Sequence, residues 1–301
     1  LLYAATEDGA GRDGGCERTE RRHLRVSGHA PNLTSVTFFD HPGPLVFAHR
    51  GGRALAPENT LLAFDTGLAA GADGLECDVR LSADGVPVVI HDETLDRTTD
   101  LTGPVRARTA AELARADAAA RFEQDGRRPW QGQGVGIPTL AEVLRRYPDR
   151  RIVVEMKDHL PDLGTAVAAI LRRDGGDLER LCIGGFGARP VEACRQALPG
   201  VTSSAHVREV RRALYASWMG WPVRSRAYGG YQVPETRGRL RVVSRRFIRA
   251  VHRAGHHVQV WTVNDEADMR RLLDWGVDAL ITDVPGVAAT LVDARRATPG
   301  R

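Results

Sequence analysis

Glu76 and Asp78 are separated by one residue, as are Glu155 and Lys157, and His49 directly precedes Arg50. In an extended segment residues two apart point to the same face, so each spaced pair aims in one direction while Cys77 and Met156 face away. Three carboxylates brought together repel and raise one another's pKa unless a cation sits among them. An all-oxygen ligand set suits Mg2+ or Ca2+ rather than zinc, so Glu76, Asp78 and Glu155 imply a hard divalent metal. Salt bridges to nearby arginines are the competing explanation of the same spacing. His49 and His91 add two imidazoles. Near neutral pH one can accept a proton while the other, held as imidazolium by neighbouring carboxylates, donates one, the division of labour that phosphodiester cleavage needs. Arg50, followed by two glycines, suits a bidentate phosphate contact. Lys157 is the sole lysine in a chain with 41 arginines, and a compact ammonium fits a crowded phosphate or metal site where the wider guanidinium does not.

The elements that must position these residues follow from periodicity. Short β-type runs at 45–49, 74–79, 151–157, 181–186, 201–204, 227–233, 257–264 and 279–283 alternate with helical stretches at about 58–70, 139–147 and 162–173, one ending at 197, then about 209–219, 244–254 and 266–275, and a last one ending at about 297. The second run is followed by a hairpin at Asp84-Gly85, with 87–90 as the returning arm, which brings His91 back towards Glu76 and Asp78. A small insertion, about 93–137, with one helix at 109–117, separates this hairpin from the second barrel helix. Eight βα units in about 255 residues make an α/β protein of the TIM (β/α)8 barrel type, in which chemistry sits at the C-terminal ends of the strands. An open doubly wound sheet would instead want a glycine-rich phosphate loop, and Gly51-Gly52-Arg53 is not GxGxxG.

The composition, 42% hydrophobic and 27% charged, can fill a large core, and no apolar run is long enough to span a membrane. The net charge of +4 comes from acids and arginines mixed along most of the chain, which gives no case for a nucleic-acid partner. Residues 1–43 lack periodicity and are expected to be a loosely ordered leader, with the barrel from 44 to 301. Cys16, Cys77, Cys182 and Cys194 have neither zinc-like nor disulfide-framework spacing, so reduced thiols in a cytoplasmic protein are expected. His252, His256 and His257 are expected to be solvated or capping residues, as are His23, His29 and His41. Asn occurs only at positions 32, 59 and 264, which marks those places in a chain so rich in arginine. No sequence feature fixes an oligomeric state.

Taken together, Ala48-His-Arg-Gly51, Pro57-Glu-Asn-Thr60, Glu76-x-Asp78-Val79, Val89-Ile-His-Asp92, Arg97-Thr-Thr99, Ile137-Pro-Thr-Leu140, Glu155-x-Lys157, Gln232-Val-Pro234, Trp261-Thr-Val-Asn264 and Thr282-Asp283 resemble the glycerophosphodiester phosphodiesterase family over about residues 45–290. The resemblance implies a TIM barrel with an insertion after the returning strand. It implies Glu76, Asp78 and Glu155 as ligands of Mg2+ or Ca2+, His49 and His91 as the acid/base pair, and Arg50 and Lys157 as phosphate contacts. Glu58 and Trp261 would border the glycerol side. The implied reaction is hydrolysis of a small-molecule glycerophosphodiester to sn-glycerol 3-phosphate and an alcohol. A lysophospholipase D-like relative would use the same centre on lipid substrates and would want an apolar rim, for which Trp218, Met219 and Trp221 are the candidates. One departure is Gly184-Gly185-Phe186, where relatives usually show Ser-Phe, at a position expected on the barrel floor.

Overall fold

The computed structural model describes residues 38–39, 41–225 and 227–297. The first 37 residues of the expected leader, with Cys16, His23, His29 and Asn32, lie outside them. Seven strands form one parallel sheet: β1 (Leu45–His49), β2 (Gly74–Leu81), β4 (Arg151–Met156), β5 (Leu181–Gly185), β6 (Gly230–Pro234), β9 (His257–Trp261) and β10 (Ala279–Thr282). Their order is β5-β4-β2-β1-β10-β9-β6, with β3 (Pro87–Val89) antiparallel to β2 as the hairpin arm. The strand expected at 201–204 shrinks to single bridges, Ser203 to Ile183 and Ser204 to Gly230, which link the two edges of the sheet. Its serines are buried polar residues rather than β-branched packers, and Ser203 Oγ instead bonds the Ala227 carbonyl at 3.1 Å.

Strand parity sorts the core into layers. Leu75, Cys77 and Val79 of β2 and Ile152, Val154 and Met156 of β4 pack outward against the helices α3 (Leu140–Arg146), α4 (Pro161–Asp174) and α5 (Ala188–Ala197). Burial pushes the Cys194 thiol up to about 12, and Cys77 also well above its usual value, which leaves inert small hydrophobes. The alternate set faces the barrel interior, where Phe47, Val153, Cys182 and Ile281 pack with Phe38 and Phe39. These two phenylalanines are fully buried, so the expected boundary at 43 falls inside a packed segment that closes the barrel around its lower interior layer. On the other half of the barrel α6 (Val207–Met219), α7 (Arg245–Arg253), α8 (Glu266–Trp275) and α9 (Pro285–Arg296) cover β6, β9 and β10.

Several ends differ from expectation for identifiable reasons. Helix α1 is Leu61–Ala69 rather than starting near 58, because Thr60 caps it by accepting from the Ala63 N–H, and Glu58 and Asn59 turn away before it. In the insertion, α2 is only Ala110–Leu113. Asp117 ends it by accepting from the N–H groups of Ala119 and Gly132 at 3.0 and 2.8 Å, local bonds that compete with the helix. Phe186 follows the C-terminal end of β5 and is 41% exposed, so it stands at the mouth and not on the floor. Gly184 does face the interior: a Cβ there would lie 2.8 Å from both Gln232 Oε1 and Ser204 Oγ, so neighbouring side chains fill the space a serine would take. His252 and His257 flank the half-buried Asp278, with His252 exposed in the last turn of α7 as expected, whereas the buried His256 stacks on Tyr228 and is packed rather than solvated.

Candidate active site

The turn after β1 is built for close approach. Arg50 has φ +51°, an uncommon conformation for a side-chain-bearing residue, and Gly51 follows at φ +84° with Ala63 backbone 2.6 Å from where its Cβ would be. This bend turns the Arg50 N–H onto Glu76 Oε2 at 3.0 Å and lays the guanidinium on two carboxylates: Nη1 donates to Glu58 at 2.8 Å and Nε lies 3.0 Å from Asp78 Oδ2. The register sets Glu76 beside His49 and Asp78 beside Glu155 on neighbouring strands. As a result Glu76, Asp78 and Glu155 offer oxygens that all lie within 4.8 Å of one another.

The electrostatics of this cluster are unbalanced. Glu76 is pushed up to about 7 by burial and then by the Asp78 charge, and its Oε1 is buried without a hydrogen-bond partner. Glu155 is also raised, by burial first, against the pull of Lys157. Asp78 is held below the usual carboxylate range, because Lys157 and Arg50 outweigh its burial. Lys157 Nζ sits 3.0 Å from Asp78 Oδ1 and 3.0 Å from Glu155 Oε2, over the Phe186 ring. A hard cation fits these three carboxylates, since it would give the orphaned Glu76 oxygen a partner and offset their mutual repulsion.

Each histidine has an aspartate on Nδ1. His49 Nδ1 is 2.6 Å from Asp283 Oδ1, with Nε2 4.0 Å from Glu76, and His91 Nδ1 is 2.6 Å from Asp92. Burial opposes charge on His49, but the Asp283 bond and Glu76 outweigh it and its pKa rises. Burial prevails at His91, whose pKa falls despite Asp78 and Asp92. A cavity of about 560 Å3 brings together His49, Arg50, Glu76, His91, Glu155, Lys157 and Trp261. Asp78 lies fully buried behind it. Both Glu58 oxygens accept from Arg97, at 2.9 and 2.7 Å, and one also from Arg50, in an ion-pair chain running Arg50, Glu58, Arg97, Asp92, His91. Trp261 lines the cavity, edge-on to Phe186 at 5.6 Å.

The sequence reasoning did not assign Asn59, Asn264 and Asp283 to the site. Asn59 clamps Asp78 twice, donating to Oδ2 at 2.8 Å and accepting the Asp78 N–H at 3.1 Å. Asn264 repeats the device on Asp283, donating to Oδ2 at 2.7 Å and accepting its N–H at 2.9 Å. With Arg53 and His49 also on it, the Asp283 carboxyl is held at about 2 although burial opposes the charge. The rarity of Asn in this chain was the signal that pointed to both positions.

A model of the glycerophosphoryl diester phosphodiesterase family matches residues 49–287. The chain belongs to this family. Glycerophosphodiester phosphodiesterases of Bacillus altitudinis and Caldanaerobacter subterraneus are each 31% identical to it, covering 82% of this chain and 97% of theirs. Among solved structures, a phosphodiesterase of Oleispira antarctica in complex with the product sn-glycerol-3-phosphate superposes with a TM-score of 0.69 at 26% identity, over 83% of this chain and 97% of that one. A glycerophosphodiester phosphodiesterase from Agrobacterium tumefaciens gives 0.66 at 28%, over 82% and 99%. The TIM barrel and the phosphodiester hydrolase class expected from the motifs are thus both met. Among the described residues no helix is long and apolar enough to cross a membrane.

Proposed function

We propose that this chain hydrolyses glycerophosphodiesters to sn-glycerol 3-phosphate and an alcohol, with Glu76, Asp78 and Glu155 holding one divalent ion, Mg2+ or Ca2+. The carrying observation is the meeting, beside one cavity, of three carboxylates within 4.8 Å of one another and two aspartate-anchored histidines. The ion supplies neutralisation of the charge that builds on the phosphate. Arg50 and Lys157, which line the cavity, bind the remaining phosphate oxygens.

An ionised aspartate accepts, so Nδ1 of each histidine carries the proton and Nε2 is left for proton transfer. One Nε2 takes the proton of the attacking oxygen as its bond to phosphorus forms. The other delivers a proton to the alcohol oxygen as the phosphorus–oxygen bond on that side breaks. Trp261 and Phe186 present an apolar edge that orients the carbon skeleton beside the charged wall.

The test is quantitation of sn-glycerol 3-phosphate and free alcohol from sn-glycero-3-phosphocholine and sn-glycero-3-phosphoethanolamine. His49→Asn and His91→Asn should each lower kcat by roughly 10² to 10⁴ at an unchanged melting curve. A loss below fivefold in either variant would remove that histidine from the proton-transfer pair.

A further inference from the structure

Two arginines that line the cavity take no part in the proposed hydrolysis: Arg211 of α6, and Arg237 of the hairpin formed by β7 (Thr236–Arg237) and β8 (Leu240–Arg241). The barrel sets them opposite the phosphate site. Its sheet runs β5-β4-β2-β1-β10-β9-β6, and the bridges of Ser203 and Ser204 close the circle between β5 and β6. On that circle the run at 201–204 stands four positions from β1, and β6 stands four from β2. The helix α6 follows the run at 201–204 and the hairpin follows β6, so Arg211 and Arg237 lie across the mouth from His49 and Glu76.

Both side chains are exposed, and among the described residues neither forms an ion pair or a side-chain hydrogen bond. Charge is distributed unevenly here, against the mixing that holds elsewhere: residues 205–254 contain twelve arginines and two glutamates. Both glutamates are claimed from outside, Glu209 by Arg195 at 3.0 Å and Glu235 by Arg271 at 2.8 Å. Among the described residues, the carboxylates that line the cavity are Glu76 and Glu155, which belong to the metal site. Val207, Val210 and Leu214 of α6 and Leu240 of the hairpin share the wall with the two guanidiniums. A cleft wall of one sign with apolar neighbours focuses its field into the cleft and favours a ligand of the opposite charge.

The catalytic end of the substrate does not supply that charge. Its phosphate is matched by the ion, Arg50 and Lys157, and the glycerol arm is neutral, so only the alcohol arm can bring an anion to the far wall. A cationic alcohol such as choline is disfavoured twice. It would meet two guanidiniums with no counter-charge, and the Phe186 ring that could hold a quaternary ammonium already lies under the Lys157 ammonium, 5.6 Å from the ring centre.

We propose that the preferred substrate is a glycerophosphodiester whose alcohol carries a second oxyanion, a phosphate or a carboxylate, held by the guanidinium forks of Arg211 and Arg237. This rests on the phosphodiesterase reading and names the class of its alcohol.

The experiment uses the full chain with Mg2+ or Ca2+ and measures initial rates of sn-glycerol 3-phosphate release from two matched pairs of substrates. In the first, 1,3-bis(sn-glycero-3-phospho)glycerol adds a second phosphate to the alcohol of sn-glycero-3-phosphoglycerol. In the second, sn-glycero-3-phosphoserine adds a carboxylate to sn-glycero-3-phosphoethanolamine. The anionic member of at least one pair should show a kcat/KM at least tenfold higher, beyond the twofold that two equivalent bonds give the bis compound. A gain confined to the first pair assigns a phosphate to the wall, and one confined to the second a carboxylate. An Arg211→Gln/Arg237→Gln double variant should cut the ratio at least tenfold, and Arg211→Glu/Arg237→Glu should reverse the preference. Arg237→Gln alone, on the exposed hairpin, should cut the ratio at least threefold if the double variants fail to fold. Equal kcat/KM within both pairs overturns the proposal while leaving the phosphodiesterase reading standing; hydrolysis of none of the four overturns that reading as well. A ratio unchanged in the folded variants overturns the assignment to these two arginines.

Discussion

Replacing Lys157 by arginine keeps the charge and should still disable the site. The ammonium lies 3.0 Å from a carboxylate oxygen on each side, its side chain is 10% exposed, and the Phe186 ring covers it. Arg50 already reaches the other oxygen of Asp78 at 3.0 Å, where Asn59 also donates, so a second guanidinium would stand beside the first on an Asp78 edge that is already occupied. Overpacking such a position costs roughly 1–3 kcal/mol, and a displaced phosphate contact costs about 3 kcal/mol of transition-state stabilisation, or ~10² in kcat. Lys157→Met separates the two effects. It removes the cation between Asp78 and Glu155, which should destabilise the metal-free protein by about 3 kcal/mol, and saturating divalent metal should restore part of that loss. Steady-state kinetics with urea melts, with and without Mg2+, distinguish these outcomes. Near wild-type kcat in Lys157→Arg would refute the reasoning, as would a Lys157→Met protein as stable as wild type without metal.

Other expectations test the framework around the site. Phe39→Ala should cost about 3–5 kcal/mol in urea unfolding, since the ring is fully buried between Phe38 and His257; a loss under about 1 kcal/mol would mean this segment does not close the barrel. Asn264→Ala should lower kcat ~10- to 100-fold with KM within about twofold, because it frees the carboxylate that orients His49; an equal change in both constants would mark a binding role instead. Asp278 carries a pH signature. It accepts from His252 at 2.8 Å, which raises that imidazole above its ordinary 6.5, while the Asp278 carboxyl is held well below 3.8 by its hydrogen bonds despite burial. The histidine term is complete below pH 6.5 and lost as pH rises through the folded value; the aspartate term is present above pH 3.8 and lost as pH falls through its own. Asp278→Asn should therefore destabilise more at pH 5 than at pH 9, and an equal loss at both would contradict the pairing.

The strand ends were legible because barrel strands alternate with capped helices, and the residue spacing within a strand dictates which side chains share a face. That reasoning located His49, Glu76, Asp78, Glu155 and Lys157 without any contact information. What it missed depends on pairs far apart in the chain. Asp283 reaches His49 across 234 positions, and Glu58 is claimed by Arg97 through a bend that no local pattern encodes. Phe38 and Phe39 are ordinary in sequence and become core only when the barrel bottom closes on them. The run at 201–204 shortens to one bridge on each side, although its backbone still bonds both neighbours, Ser204 N–H to Ile183 at 2.8 Å and Ala205 N–H to Gly230 at 2.9 Å.

The central claim is that three carboxylates hold the ion on which hydrolysis depends. It is tested most directly by stripping the protein with EDTA and following sn-glycerol 3-phosphate release as Mg2+ or Ca2+ is returned, in wild type and in Glu76→Gln, Asp78→Asn and Glu155→Gln. Activity should be absent in the stripped protein, return with saturation at one ion per chain in wild type, and fail to return at the same concentrations in each variant. Full turnover in the stripped protein, or an unchanged metal titration in all three variants, would contradict it.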